Sequence, residues 1–191
     1  MLVGKRAPSF SCQAVIHNAV KDIHLDDFKD VYKVLFFYPL DFTFVCPTEL
    51  HAFQESLSEF EQRNTVILGV SVDSVYSHLA WLAQPKEQGG IQGLTYPLLS
   101  DITKSISRAY EVLDEEKGIA LRGLFILDDE NIVQIAQINN LSLGRNTQEV
   151  LRLLDAIRFT KTHGEVCPAN WTQEKKALNP TQEGLKEYYK K

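Results

Sequence analysis

Cys46 ends the run Phe36-Phe37-Tyr38-Pro39-Leu40-Asp41-Phe42-Thr43-Phe44-Val45-Cys46, and Pro47-Thr48-Glu49 follow it. An apolar segment patterned like a strand gives way there, through a threonine-bearing loop, to the start of a helix. A thiol at a helix N-terminus faces the partial positive charge of unpaired backbone N–H groups. That charge favours thiolate, the nucleophilic form of sulfur. Thr43 adds a hydroxyl three positions upstream, and Glu49 adds a carboxylate in the first helical turn, where the dipole favours it. The chemistry within reach of this group is that of an activated cysteine nucleophile.

The other two cysteines are Cys12 and Cys167. Three widely spaced cysteines do not make a secreted disulfide framework, and neither a Cys-x-x-Cys pair nor a Cys/His cluster suggests zinc. Cytosolic thiol chemistry without a metal is the expected use. Cys12, inside Phe10-Ser11-Cys12-Gln13-Ala14-Val15-Ile16, reads as a buried structural thiol. His51 reads as a surface or packing residue of the helix after Cys46, and His163, beside Gly164, as a loop residue. No His-plus-Asn constellation around Cys46 supports a cysteine hydrolase.

These residues must be positioned by a chain of 191 residues, 44% of them hydrophobic, enough for one core without disulfide or metal support. The net charge of −5 argues against nucleic acid as a partner. The lysine pairs Lys175-Lys176 and Lys190-Lys191 sit in a mixed-charge tail and read as solvated. With no apolar region after the N-terminal charges and no apolar stretch approaching ~18 residues, the expectation is a cytoplasmic protein with no membrane partner.

Residues 33–40 (KVLFFYPL) form an apolar run suited to a strand buried on both faces. Leu50, Phe53, Leu57 and Phe60 then make one helical stripe over residues 47–62, and Pro47 suits the first helical position. Residues 65–72 (TVILGVSV) read as a second buried strand, followed by a helix over 74–83 and a glycine-bearing loop, Gly89-Gly90-Ile91-Gln92-Gly93. Ser100-Asp101 is placed to cap a short helix running to Tyr110. Residues 123–127 and 132–138 read as two strands joined by Asp128-Asp129-Glu130-Asn131. Asn146 is placed to cap a helix with the stripe Val150, Leu153, Leu154 and Ile157. The order predicts an α/β thioredoxin-like fold over residues 1–160, with 1–32 as an N-terminal extension and 161–191 as an extended C-terminal arm.

Pro39-x-x-x-Thr43-x-x-Cys46 resembles the signature of the peroxiredoxins, and Glu165-Val166-Cys167-Pro168 resembles the resolving-cysteine segment of their typical two-cysteine class, the alkyl hydroperoxide reductase C and thioredoxin peroxidase group. Residues 4–10, 41–49, 78–81, 96–101 and 122–127 are similar to segments found in that order in the family. The resemblance implies a thioredoxin fold and thiol-dependent reduction of hydrogen peroxide and organic hydroperoxides, with no metal, haem or flavin. It implies Cys46 as the attacking thiol, oxidised to a sulfenic acid, and Cys167 as the resolving thiol. In that class Cys167 would come from a second subunit, giving a homodimer with two Cys46–Cys167 bridges, recycled by thioredoxin or a similar dithiol. Five such dimers in a ring, a decamer, are the implied assembly. Family members also act as holdase chaperones or peroxide sensors, which stands as an additional role.

An isolated thiol of pKa about 8.5 is ~3% ionised at pH 7, so complete ionisation gains only about 30-fold, or ~2 kcal/mol. A fast peroxidase must also stabilise charge on the departing oxygen. Arg122, by resemblance the catalytic arginine, offers a permanently charged planar fork, and Thr43 a hydroxyl that both donates and accepts. Three roles stay open. Pro39 either closes the pocket or only forms a turn. Glu49 either caps the helix or joins Arg145 in a salt-bridge network orienting Arg122, and Arg145 is either in that network or on the surface.

Members of this class that over-oxidise readily carry a Gly-Gly-Leu-Gly loop and a Tyr-Phe pair in a C-terminal helix, packed over the helix turn that must unwind. This chain has Gly89-Gly90-Ile91-Gln92-Gly93 and Tyr188-Tyr189. Intermediate sensitivity to sulfinic-acid formation is expected.

Overall fold

The stretch ahead of the first expected strand contributes two strands of its own. In the computed structural model, which describes residues 1–190, Ser11–Ile16 (β1) and Ala19–His24 (β2) pair antiparallel. Their turn, His17-Asn18, has φ of 50° and 60°, the left-handed geometry that matches strand twist in a tight hairpin. Tyr32–Phe37 (β3) is buried at every position, including Lys33, whose Nζ donates to Asp128 O at 3.3 Å.

Helix α1, Cys46–Glu55, begins at Cys46 itself, and Pro47 in its first turn gives up no helical hydrogen bond. The expected single helix over 47–62 is two: Ser56 departs from helical geometry, and Leu57–Glu61 (α2) follows. The apolar stripe crosses the break, because Leu50, Phe53 and Phe60 are all buried while Leu57 is half-buried. Thr65–Ser71 (β4) runs parallel to β3. Val75–Ala83 (α3) starts at Ser74, whose side chain accepts a hydrogen bond from Ser77 N.

Leu98–Ser100 (β5) adds a third parallel strand beside β4. The short helix α4, Ser105–Ala109, is held by Asp101, whose carboxylate accepts from Ile106 N and Ser107 N at 3.0 and 2.7 Å. Leu113–Asp114 (β6) and Ile119–Ala120 (β7) make a small ribbon that the sequence reading did not separate from loop. Arg122–Leu127 (β8) and Val133–Asn139 (β9) form the expected hairpin, with Arg122 already inside the strand. The main sheet has the order β2-β1-β5-β4-β3-β8-β9, and its β3–α1–β4 unit with the β8–β9 hairpin gives the thioredoxin-like α/β arrangement.

Alternation along β3 builds two apolar layers. Leu35 and Phe37 join Leu68, Val70, Leu99, Tyr110 and Phe125 on one face. Phe36, the intervening residue, stacks on Phe53 of α1 with centroids 4.4 Å apart and meets Tyr96 edge-on at 6.1 Å. The stacking fixes α1 on the sheet.

The chain divides into two units, the first Met1–Arg145 and the second starting at Asn146. In the second, Asn146 Oδ1 accepts from Gln148 N and Glu149 N to start α5, Thr147–His163. Val150, Leu151 and Leu154 are buried, whereas Leu153 and Ile157 are half-buried, so the buried stripe is shifted from the expected one. The segment expected as an extended arm holds a bridge between Val166 and Leu178 and a further helix, Gln182–Tyr189 (α6). None of the α6 residues is buried, although Leu185, Tyr188 and Tyr189 fall at i, i+3 and i+4; the Thr181 hydroxyl caps the helix by accepting from Gly184 N. Trp171 is buried, packed on Phe159 at 4.9 Å. Among the described residues no helix is long and apolar enough to cross a membrane.

Cys12, expected to be buried, is half-buried on β1 and packs against the core. One side of β1 pairs with β5 over only two residues, leaving this end of the strand near the sheet's rim. Burial first, then Asp101 and Asp22, push the Cys12 thiol up to about 12. Alkylation of Cys12 by iodoacetamide at pH 8, followed by peptide mass mapping, should therefore be about 100-fold slower in the folded protein than in urea. Equal rates in the two states would contradict this.

Candidate active site

After β3 the chain leaves the sheet through residues 38–45 and re-enters regular structure at α1. A buried polar network fixes this loop. Asp41 accepts from Tyr38 Oη at 2.9 Å and Ser77 Oγ at 2.8 Å, and pairs with His78 Nδ1 at 2.8 Å. Asp41 N in turn donates to Asp73 at 2.9 Å, and Ser71 Oγ donates to the same carboxylate at 2.7 Å. Burial, then the neighbouring Asp41, hold the Asp73 carboxyl above its ordinary range. Phe42 is forced to φ of 55°, an uncommon backbone state for an aromatic residue, and its ring lies 5.7 Å from that of Trp81.

Within the loop, Pro39 is buried and Thr43 is half-buried. Thr43 Oγ1 donates to Leu40 O at 2.9 Å, which commits its one proton and leaves its lone pairs as acceptors. Val45 precedes α1 with no side-chain cap, and the Cys46 side chain is fully buried at the helix start.

Arg122 reaches this point from the first position of β8. Its Nη1 lies 3.4 Å from Cys46 Sγ and 2.6 Å from Glu49 Oε2, and its Nε donates to Leu141 O at 2.6 Å. Glu49 accepts on its other oxygen from Arg145 Nε at 2.7 Å and Arg145 N at 2.9 Å. Arg145 Nη1 donates to Phe37 O and Gly123 O at 2.8 and 2.7 Å, and its guanidinium carbon sits 5.2 Å from the centroid of the Phe36 ring. Burial lowers Arg145 from the ordinary arginine value while Glu49 opposes that shift, and an arginine stays charged throughout.

The structure brings together Glu49 and Arg145, which are buried and bonded to each other, and Glu49 also grips Arg122. Two cations and one carboxylate leave one positive charge, which a single thiolate balances. The arrangement can hold a charged sulfur in a site with little water and present guanidinium N–H groups beside it.

Cys167 belongs to the second unit. It is a half-buried free thiol 3.8 Å from Ala156 O; burial raises its pKa and Arg152 opposes the rise. His51, expected at the surface or in packing, is buried, with Nε2 3.0 Å from Gly90 O; His163 is exposed and stacks on Phe159 at 4.2 Å. The sequence reading missed the Tyr38-Asp41-His78-Asp73 network, whose members come from three separate segments. Its one local signal is a charged residue, Asp41, set between apolar neighbours in the loop. No group of three or more His, Cys, Asp and Glu side chains able to hold a metal occurs among the described residues.

The AhpC/TSA family model matches residues 3–136, and the model for the C-terminal domain of 1-Cys peroxiredoxin matches residues 156–191, a stretch in which this chain carries Cys167. Thioredoxin peroxidase of Echinococcus granulosus is 51% identical over 187 residues, covering 98% of this chain and 97% of that protein. The mitochondrial thioredoxin-dependent peroxide reductase of Mus musculus is 52% identical over 189 residues, covering 99% of this chain and 74% of that one. Among solved structures, the reduced 2-Cys peroxiredoxin of Plasmodium vivax superposes with a TM-score of 0.96 at 46% identity, covering 98% of both chains. Likeness of this extent, in sequence and in fold, makes the chain a member of the AhpC/TSA family, the peroxiredoxins.

Proposed function

We propose that the chain reduces hydrogen peroxide and organic hydroperoxides through Cys46 and is recycled by thioredoxin or a similar dithiol. The observation that carries this reading is the Cys46 thiol buried at the start of α1, 3.4 Å from an arginine that Glu49 holds in place. Cys46 thiolate attacks one peroxide oxygen, the O–O bond breaks, and the departing oxygen takes a proton and leaves as water or alcohol. Sulfur is left as a sulfenic acid. Arg122 stabilises charge on the departing oxygen, and Thr43, with its proton given to Leu40, accepts a hydrogen bond from the peroxide. Pro39, buried within the loop, limits water. Glu49 and Arg145 act on Arg122 and keep its fork turned toward Cys46.

Cys167 then attacks the sulfenic sulfur, forming a disulfide and releasing water. A disulfide needs Cα atoms within about 7 Å, and a fully buried Cys46 sulfur is closed to a second thiol, so the first turn of α1 must open. The resolving thiol comes from a second copy of the chain, in a two-fold dimer whose peroxidase domain spans 1–160 and whose arm, 161–191, carries Cys167. Five dimers close into a decameric ring. The absence of a secreted-type cysteine framework favours a cytoplasmic setting, although the mouse relative is named as mitochondrial.

Cys46→Ser should abolish peroxide turnover with a thioredoxin system. Cys167→Ser should reduce one equivalent of peroxide and then stop. Turnover surviving Cys46→Ser refutes the reading. Replacement of Arg122 by Lys keeps the charge but loses the fork, so kcat/KM should fall about 100-fold with thermal stability tracked in parallel; Thr43→Val should lose a similar factor and Thr43→Ser retain most activity. Wild-type rates in both Arg122→Lys and Thr43→Val would remove these residues from the mechanism. Size-exclusion chromatography with light scattering should give a decamer for the reduced protein and an intersubunit bridge on non-reducing gels after peroxide; a monomer in both states would exclude the assembly.

A further inference from the structure

The loop between β3 and α1 is held at one peptide unit from both of its sides. The unit joining Leu40 to Asp41 is trans, so its C=O and N–H point in opposite directions. On one side Leu40 O accepts from Thr43 Oγ1 at 2.9 Å. On the other, Asp41 N donates to Asp73 Oδ2 at 2.9 Å, across 32 positions of the chain. A carboxylate, one peptide and the Thr43 hydroxyl therefore lie in series.

The far end of this series is firmly placed. Asp73 lies between the end of β4 and Ser74, the residue that caps α3. Its N–H donates to Ser71 Oγ at 3.2 Å, Ser71 Oγ donates to Asp73 Oδ2 at 2.7 Å, and its C=O accepts from Ser100 Oγ at 2.6 Å. The ends of β4 and β5 thus fix the carboxylate that meets the loop. The Asp41 carboxylate is engaged by Tyr38, Ser77 and His78, so it anchors the loop without entering the series.

A carboxylate makes a stronger acceptor than a neutral group, and hydrogen bonds in series polarise one another. Negative charge on Asp73 draws the Asp41 N–H toward it, which leaves more negative charge on Leu40 O. That oxygen then holds the Thr43 proton more firmly, and the Thr43 lone pairs are left to face the substrate. We infer that Asp73 is a positioning residue for the reaction at Cys46, acting through the Leu40–Asp41 peptide to fix the Thr43 hydroxyl as an acceptor for the peroxide O–H. This role rests on the peroxide-reducing reading above. No proton crosses the peptide, which passes on polarisation and geometry alone.

The test is a double-mutant cycle in the full-length protein. It is read as the second-order rate constant for oxidation of reduced Cys46 by hydrogen peroxide, from rapid-quench mass spectrometry. Asp73→Asn keeps the shape of the side chain and an oxygen for Asp41 N but removes the charge, and should slow oxidation about fivefold; Asp73→Ala removes the acceptor and should slow it about 20-fold. In Thr43→Val, which has no hydroxyl to orient, Asp73→Asn should cost less than about 1.5-fold more, whereas in Thr43→Ser the loss of about fivefold should return. Alkylation of Cys46 by iodoacetamide should stay within about twofold in Asp73→Asn, because the series ends at the peroxide and not at sulfur. Thermal melting is followed in each variant, and the isosteric Asp73→Asn carries the cycle if Asp73→Ala does not fold. An unchanged rate in Asp73→Asn, an equal loss in the Thr43→Val background, or a parallel fall in alkylation overturns the role of Asp73 and leaves the peroxide-reducing reading standing. An unsubstituted Cys46 that does not react with hydrogen peroxide overturns both.

Discussion

The Glu49 carboxylate, 3% exposed, lies between two guanidiniums, and much of the site depends on it. Taking a carboxylate and two arginines out of water costs several kcal/mol per ion, and their mutual attraction recovers that only when each lone pair and N–H is well placed. Here Glu49 uses one oxygen for Arg122 and the other for both the backbone and side chain of Arg145. Arg145 carries the arrangement into the sheet by donating to Phe37 O at the end of β3 and Gly123 O near the start of β8. A lysine has one nitrogen and could not span these acceptors at once. The first turn of α1, the end of β3 and the start of β8 are therefore locked through one buried anion, at the end of the sheet where Cys46 sits.

In the proposed two-cysteine cycle the same turn has to be rigid in one step and loose in the next. Its rigidity comes from side chains: Glu49 to the arginines, and the Asp41 network behind the loop. Its backbone hydrogen bonds converge on one acceptor, Val45 O, which takes Thr48 N at 3.1 Å and Glu49 N at 3.3 Å, and no side chain caps the helix start. Phe42 adds a strained φ just upstream. In the proposed mechanism, oxidation of Cys46 removes the negative charge that a thiolate sets against the net positive charge of the cluster, which weakens the electrostatic hold of Arg122 on sulfur. The later turns of α1 lack such a trigger, since Phe53 stacks on Phe36 and Leu50 O and Gln54 are bonded to the following loop.

Local features were legible in the sequence and topological ones were not. Residues 32–37 and 65–71 announce themselves because strands buried on both faces are apolar over most of their length. Cys46, Thr43 and Glu49 lie within one loop and helix turn, so spacing alone brings them together. β2 was hidden because only Ile23 of its six residues is buried, which leaves no alternation to read. The break at Ser56 was hidden for the opposite reason: the stripe through Phe53 and Phe60 stays in phase across it. Arg145 could not be placed because an arginine in a loop is ordinarily exposed; what buries it is the pairing of β3 with β8, a fact of topology. The Asp41–His78 pair joins residues 37 apart for the same reason.

The three cysteines separate these levels most clearly. Sequence makes them alike in type, and none of them is fully exposed. Cys12 lies among carboxylates, with Asp101 and Asp22 adding to burial to keep its proton in place. Cys167 has burial opposed by Arg152. Cys46 alone has a guanidinium N–H on its sulfur, and that guanidinium is oriented by a carboxylate that is itself anchored to two strands. A helix N-terminus acts on any thiol placed there, but it supplies no donors for the leaving oxygen. In the proposed mechanism the sheet supplies them, by bringing the first residue of β8 to the helix that follows β3.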